Sequence, residues 1–362
     1  MLNAESEPAR RAHLHAIGTA VPDLDIHEEF ISWAMRRLTD SRLRALFERM
    51  AARSGITHRW SILPHSPGGS PITPGGFYFG NRLPPTSARM KLYGEKAPGL
   101  ALAAIEALAE KQPLGEITHL VVASCTGFVA PGVDQLIARE LGLSPGVERT
   151  LVGFMGCYAA VAALRVAYHI ARSDPVARVL VVTVELSSLH LMETDDIEPM
   201  LAMLQFADGA AAAIVSAEPG PIAINRFFAA TLPDSSELIQ WTIGDSGFEM
   251  QLSGKVPARI AQALQDPALR QEILQHCAAD EVAWAVHAGG RSILDAVEHA
   301  LALPSDALDP SRAVLSSYGN MSSATLMFVL DGLMAQDDRR DGIALAFGPG
   351  LAAEGFGFSR AA

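Results

Sequence analysis

The sequence predicts an α/β protein built from two similar halves around a mostly parallel sheet with both faces covered. Three observations carry that prediction. Valine- and alanine-rich runs alternate with segments of helical period along most of the chain, as strand–helix–strand units do. Several of those runs, Val179 to Leu186 above all, are apolar without alternation, the mark of strands buried on both faces. A Pro219-Gly-Pro221 break separates two stretches, 1–218 and 219–362, that follow one order of elements, although no residue-level repeat joins them. With 362 residues, 49% of them hydrophobic and 19% charged, the chain is long enough for one large core or two fused ones.

From about residue 27 to 54 the period is helical. Ile31, Ala34 and Leu38, then Leu43, Leu46, Phe47 and Met50, fall at three-and-four spacing, and Asp40 or Ser41 is placed to cap the second piece. Arginine is dense here: Arg36, Arg37, Arg42, Arg44, Arg49, Arg53 and Arg59 face only Asp40 and Glu48. Guanidinium forks bind phosphate bidentately, so the segment is either a phosphate-docking surface or a solvated helix face. Residues 61–86, rich in Pro, Gly and Ser, read as a long irregular connection.

Order then returns. Residues 100–108 read as a helix, 118–123 as a strand, 133–141 as a helix, 150–155 as a strand, 157–171 as a helix, and 179–186 and 210–215 as strands. After the break, 222–229 suits a strand, 259–275 a helix, 283–287 a strand, 292–301 a helix, 313–316 a strand, 322–333 a helix and 343–347 a strand.

Composition excludes several function classes. A net charge of -12 and a pI near 5.4 argue against non-specific binding to nucleic acid and against stable association with anionic membranes. Cysteines 125, 157 and 277 are odd in number and far apart, which fits neither a disulfide framework nor a metal cluster, and points to a reducing compartment. Glu5, Glu7, Arg10 and Arg11 precede any apolar stretch, and no apolar run approaches the roughly 18 residues that span a bilayer. The expectation is a soluble cytoplasmic protein.

Three strand ends carry polar groups where loops and helix N-termini converge. In Leu151-Val-Gly-Phe-Met-Gly-Cys157 an apolar run ends in glycine, and the cysteine stands at the first turn of an alanine-rich helix. A helix N-terminus lowers a thiol pKa, so Cys157 is either a nucleophile or a small core residue. In Ala283-Trp-Ala-Val-His287-Ala-Gly-Gly290 the histidine leaves a buried strand into a flexible corner, and Ser316-Ser-Tyr-Gly-Asn320 places an amide at the mouth of the next helix. Singly, His287 is also readable as a core histidine and Asn320 as a helix cap. Jointly they read as a thiolate, its imidazolium partner and an amide donor.

Together these residues resemble the type III polyketide synthases, relatives of chalcone synthase within the thiolase superfamily. The likeness runs from about residue 12 to 358 and rests on Gly153-Phe-Met-Gly-Cys157, Phe206-Ala-Asp-Gly-Ala210, His287-Ala-Gly-Gly290, Tyr318-Gly-Asn-Met-Ser-Ser323 and Phe347-Gly-Pro-Gly350. It implies a thiolase-like five-layered αβαβα fold and a homodimer. It also implies acyl-CoA and malonyl-CoA as substrates, with no separate cofactor, no metal and no carrier protein. The reaction it implies is repeated decarboxylative condensation on Cys157, with His287 and Asn320 stabilising the enolate, and cyclisation to an alkylpyrone, resorcinol or related aromatic product. A ketoacyl-synthase-III-like enzyme that extends once, or an acyl-CoA hydrolase, would use the same three groups.

The same resemblance assigns further residues. Phe206 becomes a gate between a coenzyme A tunnel and the cavity, although alone it reads as a core phenylalanine. Arg49, Arg53 and Ser292 become coenzyme A contacts, while Leu46 replaces a third basic residue. Gly289, Gly290, Gly348, Pro349 and Gly350 form active-site loops, and Ser322 faces the cavity. Glu185 resembles a buried glutamate near a water path, or is a paired structural carboxylate. Departures concern the cavity: Trp241 stands for a glycine of chalcone synthase, Met250 for its second gate phenylalanine, His190 and Cys125 for threonines, and Ala130 for a methionine that crosses the dimer interface. Trp241 removes volume while Met250 and Ala130 restore some, which disfavours chalcone formation. Cys125 in Ser124-Cys-Thr-Gly127 resembles bacterial members.

Overall fold

A computed structural model describes residues 11–80, 82–274, 277–336 and 340–360. The charged residues that precede Arg11, and Gln275 at the end of one expected helix, lie outside the described residues. In chain order the elements are β1 (Ala12–Ala20), β2 (Leu24–Asp25), α1 (His27–Arg37), α2 (Ser41–Ala52), β3 (Trp60–Ser61), α3 (Thr86–Lys111), β4 (His119–Ser124), α4 (Val133–Glu140), β5 (Glu148–Gly153), α5 (Ala159–Ser173), β6 (Arg178–Leu186), α6 (Ile197–Met203) and β7 (Asp208–Ser216). There follow β8 (Ile222–Thr231), β9 (Ile239–Gly244), β10 (Gly247–Leu252), α7 (Val256–Leu264), α8 (Pro267–Leu274), β11 (Ala283–Val286), α9 (Arg291–Leu301), α10 (Asp309–Tyr318), α11 (Ser323–Met334), β12 (Gly342–Gly348) and β13 (Ala352–Arg360).

Most local signals act as expected. The Asp40 carboxylate, not Ser41, caps α2 by accepting from the amides of Arg42 and Leu43. The expected helix at 259–275 breaks before Pro267, because proline cannot continue the ladder of the preceding turn. Helix α3 starts well before residue 100; Gly94, Pro98 and Gly99 interrupt its pattern without ending it. Residues 313–316, read as a strand, lie inside α10. Ser311, Val314 and Leu315 are its buried face at three-and-four spacing, and the three-residue apolar run 313–315 does not distinguish the two states.

Among the described residues nine strands form one sheet in the order β11-β12-β13-β8-β1-β7-β6-β4-β5, so β8 and β1 join two half-sheets. Read in chain order within each half, β1, β4, β6 and β7 correspond to β8, β11, β12 and β13 in the same spatial order. Helix α10 stands where the first half has β5. The expected mostly parallel sheet is in fact mixed: only β4–β5, β4–β6 and β11–β12 run parallel. The last strand of each half returns antiparallel to its neighbour.

The layers follow from which face each helix covers. Helices α5 and α11 lie between the half-sheets, and their alanines, Leu326, Met327 and Val329 share one core with Val121, Val181, Ala344 and Phe356. Helices α3 and α4 cover the far face of the first half-sheet, and α7 and α9 that of the second. That arrangement is the α/β thiolase-like fold, with helices in the first, third and fifth layers.

Close approach sets the composition of β1. A Cβ on Gly18 would stand 2.1 Å from the backbone nitrogen of Leu108 and 2.4 Å from the carbonyl oxygen of Ala104, both in α3. We expect Gly18→Ala to destabilise the fold by about 1–3 kcal/mol through overpacking. Chemical denaturation followed by circular dichroism checks this, and an unchanged midpoint would mean that α3 yields freely.

Candidate active site

The chain reverses sharply after β5. Phe154 has φ +58° and Gly156 φ +72°, and Cys157 sits in a single 3-10 turn, Gly156–Tyr158, that leads into α5. A Cβ on Gly156 would meet the Pro349 ring at 2.4 Å, and one on Gly348 the Tyr158 ring at 2.6 Å, so the end of β12 packs directly on the cysteine turn. His287 follows β11, its amide bonded to the Leu345 carbonyl at 2.8 Å. Asn320 follows α10; its amide donates to the Gln205 carbonyl at 2.8 Å, and its carbonyl accepts from Ala207 at 2.9 Å.

These ends converge on one cavity lined by Cys157, His287, Asn320, Gly289, Gly348 and Pro349 together with Cys125, Ser322, Phe206, Trp241 and Met250. Gly290 and Gly350 shape the loops without lining it. The Asn320 amide nitrogen donates to the Gly289 carbonyl at 3.2 Å, and its oxygen accepts from the Ser322 amide at 2.8 Å. Asn320 therefore orients the site and does not cap α11, whose N-cap position is Ser322 at φ +48°.

Burial dominates the electrostatics. It pushes the Cys157 thiol up to about 12, against hydrogen bonds from Ser322 and Asn320 that lower it, and it pushes His287 down to about 3. The expected helix-terminus effect on Cys157 is thus outweighed by desolvation on burial. Both His287 ring nitrogens are buried without a hydrogen-bond partner among the described residues. A lone charge on either group is opposed, whereas a thiolate and an imidazolium formed together by one proton transfer attract each other and leave the cavity neutral.

Beside Cys157 lies a second buried thiol. The Cys125 sulfur is 3.4 Å from both Glu185 carboxyl oxygens and 3.2 Å from the Ser322 hydroxyl. Glu185 is fully buried and accepts from the Cys125 amide at 3.0 Å, the Thr126 hydroxyl at 2.9 Å and the Ser323 hydroxyl at 2.5 Å. Burial raises its pKa against those bonds, and its partners are hydrogen-bond donors, not a cation.

Trp241 and Met250 face each other across the β9–β10 hairpin. The Trp241 indole donates to the Cys125 carbonyl at 2.8 Å and stands edge-on to His190. His190 donates from Nε2 to the Thr126 carbonyl at 2.8 Å, accepts at Nδ1 from the Phe248 amide at 2.9 Å and stacks on the Phe248 ring at 4.3 Å. Burial holds it near 3, hence neutral, and it lines not the Cys157 cavity but a second, apolar chamber. Phe206, Ser187, Trp241 and Met250 line both spaces. Ala130 is exposed and reaches neither.

The arginine-rich segment is not one surface. Arg53 and Ser292 line a groove with Arg291, which the sequence reading missed although it directly follows Gly290. Arg49, exposed on the last turn of α2, does not line that groove. Arg36 and Arg37 line a separate groove with Arg82. Arg59 is buried and structural: its Nη1 donates to the Met203 and Phe206 carbonyls, each at 2.9 Å. Thr126 and Ile293 also line the Cys157 cavity without having been singled out; both are one step from a residue that was.

Among the described residues no group of three or more His, Cys, Asp or Glu side chains is placed to hold a metal ion, and no helix is long and apolar enough to cross a membrane. The family described as chalcone and stilbene synthases matches through its N-terminal domain at residues 3–219 and its C-terminal domain at 224–360. The chain is 34% identical over 285 residues to an alpha-pyrone synthesis polyketide synthase-like protein, Pks18, of Mycobacterium tuberculosis, covering 75% of this chain and 72% of that one. It is 33% identical over 372 residues to a bisdemethoxycurcumin synthase of Oryza sativa, covering 93% and 89%. Its fold is similar to PKS-I of the brown alga Ectocarpus siliculosus (TM-score 0.88, 28% identity, 99% and 100% covered). It is equally similar to the C-terminal type III polyketide synthase domain of Steely1 from Dictyostelium (TM-score 0.88, 27% identity, 97% and 100% covered). The chain belongs to the chalcone and stilbene synthase family and is a type III polyketide synthase, an acyltransferase.

Proposed function

We propose that Cys157 carries an acyl starter as a thioester and that His287 and Asn320 build the enolate that extends it. The observation that supports this most is the meeting of an attackable thiol, an imidazole with two unpartnered nitrogens and an oriented amide in one cavity. The family uses acyl-CoA and malonyl-CoA. The Cys157 proton passes to His287, the sulfur attacks the starter thioester, and the coenzyme A thiolate leaves with a proton. Malonyl-CoA then loses CO2, and its enolate oxygen lies against His287 and the Asn320 amide. The enolate carbon displaces sulfur from the acyl group, and the lengthened chain returns to Cys157. Such donors are typically worth about 10²- to 10³-fold in rate.

The groove at Arg53, Arg291 and Ser292 opens next to Gln205, one residue from Phe206, which supports it as the coenzyme A docking site with Phe206 as gate. Arg49 acts there only if its exposed side chain swings in. Trp241, backed by the fixed, neutral His190, narrows the cavity on one side, which supports a pyrone, resorcinol or related aromatic product over a chalcone, in the manner that Cys125 suggests for bacterial members. Exposed Phe128 and Leu151, beside Ala130 and at edge strand β5, suit the homodimer interface. The matched segments, with the repeated strand order, support a division into halves at 218/219. All three cysteines are free, in keeping with a cytosolic protein.

Purified chain incubated with a panel of acyl-CoA starters and malonyl-CoA should yield cyclised polyketides by mass spectrometry, and Cys157→Ala none. Free acid without malonyl-CoA, single-step products, or extension by Cys157→Ala would each sink the reading. Asn320→Ala should slow CO2 release from malonyl-CoA by about 10²-fold or more while leaving the acylation burst within about threefold; equal losses in both steps would remove the enolate role. If the thiolate and imidazolium form as a pair, iodoacetamide should alkylate Cys157 at pH 6 nearly as fast as at pH 8. In His287→Ala the rate should instead climb with pH as for an ordinary thiol, and identical profiles in the two proteins would refute the pairing.

A further inference from the structure

We propose that the outer face of α2 docks an acidic acyl carrier protein, whose phosphopantetheine arm delivers an acyl group to Cys157 through the groove at Arg53. The proposal rests on the reading of Cys157 as acyl acceptor and of that groove as its entrance. In the transfer the Cys157 sulfur bonds the acyl carbon, the carbon–sulfur bond to the arm breaks, and the arm thiolate leaves with a proton, as coenzyme A does. Coenzyme A thioesters need the groove alone, whereas the carrier uses the groove and the helix face beyond it.

Arg42, Arg49 and the cap residue Arg53 are exposed at i, i+7 and i+11, which at about 100° per residue puts them within about 40° of one line along the helix. Leu43, Leu46 and Met50 run beside that line as a ridge. Leu43 and Met50 are exposed, while Phe47 and Ala51 turn inward and share a core with Phe30, Met200 and Leu204. The row ends in the groove, since Met50 and Arg53 line it with Leu201, Gln205, Arg291 and Ser292. At about 1.5 Å per residue, Arg42 stands about 16 Å along the axis from Arg53, farther than the phosphates of one nucleotide held there extend. Coenzyme A thus accounts for the groove end of the row and leaves Arg42 and Leu43 without a role.

The charges on this face are uncompensated. Among the described residues Arg42, Arg49 and Arg53 form no ion pair, whereas Arg139, Arg149, Arg226 and Arg312 each lie against a carboxylate, and Arg291 at the groove has Asp295. Their placement does not serve the helix either. Helix α1 opens on Glu28 and Glu29 and closes on Arg36 and Arg37, as the helix dipole favours, but α2 has no acidic residue in its first turn and carries Arg42 there. A cationic row beside an apolar ridge is complementary to an amphipathic helix with carboxylates along one edge. An anionic membrane fits less well: it would meet the rest of a chain of net charge -12, and the one aromatic ring of α2, Phe47, is buried. A small acidic protein meets the row alone.

The test gives the full chain the same acyl groups, acetyl to lauroyl, on two donors, an acidic bacterial acyl carrier protein and coenzyme A, and follows acylation of Cys157 by intact-protein mass spectrometry. Arg42→Glu should slow acylation from the carrier at least tenfold and leave that from coenzyme A within twofold. Arg44→Glu, about half a turn round the helix, should leave both within twofold. Wild type acylated by coenzyme A thioesters but by no loaded carrier, or equal losses from both donors in Arg42→Glu, overturns the proposal. A second measurement needs no transfer: fluorescently labelled holo-carrier should bind wild type and Cys157→Ala alike, and Arg42→Glu should weaken that binding at least tenfold. Such binding in a protein that neither donor acylates would uphold the docking face and instead refute Cys157 as acceptor. Phosphatidylglycerol vesicles bound through Arg42, with no carrier bound, would overturn the proposal in favour of a membrane.

Discussion

The buried carboxyl of Glu185 ties the two halves of the molecule together at the candidate active site. It projects from β6 and gathers donors from Cys125 and Thr126, just after β4, and from Ser323, the first residue of α11. Those segments come from different halves of the chain. Ser323 neighbours Ser322, whose hydroxyl bonds the Cys157 thiol, and Ser322 in turn donates its amide to Asn320. Removing the carboxyl would strand three buried donors, each costing roughly 1–3 kcal/mol. The positions of Asn320 and Cys125 relative to Cys157 therefore depend on one satisfied hydrogen-bond cluster more than on any ion pair.

Desolvation then decides what the site does at rest. Every ionisable group near Cys157 is pushed towards its neutral form: the thiol up, both histidines down, Glu185 up. A cavity that resists isolated charge also excludes much of the water that would hydrolyse an acyl thioester or protonate an enolate. His190 and His287 share the same shift for different ends. His190 spends both nitrogens on the backbone and is a wall, whereas both His287 nitrogens lack a hydrogen-bond partner among the described residues. Residue type alone does not separate the two; the hydrogen-bond partners do.

That Cys157, His287 and Asn320 come together was legible because local signals mark their positions. Glycines at 153, 156, 289, 290, 319 and 348 mark tight turns at the ends of buried segments, and Cys157, His287 and Asn320 sit in those turns. What was not legible came from elements that meet only in three dimensions. Strands β1 and β13 escaped notice because histidines and glycines interrupt their apolar pattern; at Gly355 the interruption is obligatory, since a Cβ would stand 2.1 Å from the Ala344 carbonyl. Part of helix α10 reads as a strand because a run of three apolar residues carries no period. The arginine-rich stretch looked like one surface, yet burial of Arg59 and the turn between α1 and α2 send its members to different places.

Cavity shape follows the same logic one level further on. The chamber walls come from α1, from the connection between β3 and α3, from the segment after β6 and from the β9–β10 hairpin, which are far apart in the chain. Trp241 and Met250 act together only because they are directly paired across that hairpin and so share a face. A slip of one residue would turn one of them away from the cavity and present Gln240 or Thr242 in its place. The register is held from outside the hairpin as well: the Phe248 amide binds His190, the Gly247 amide binds the Thr86 hydroxyl, and the indole binds Cys125. The side chains that narrow the cavity are thus anchored to the end of β4, the same segment that Glu185 holds, so the candidate site and the walls of its cavity share a support.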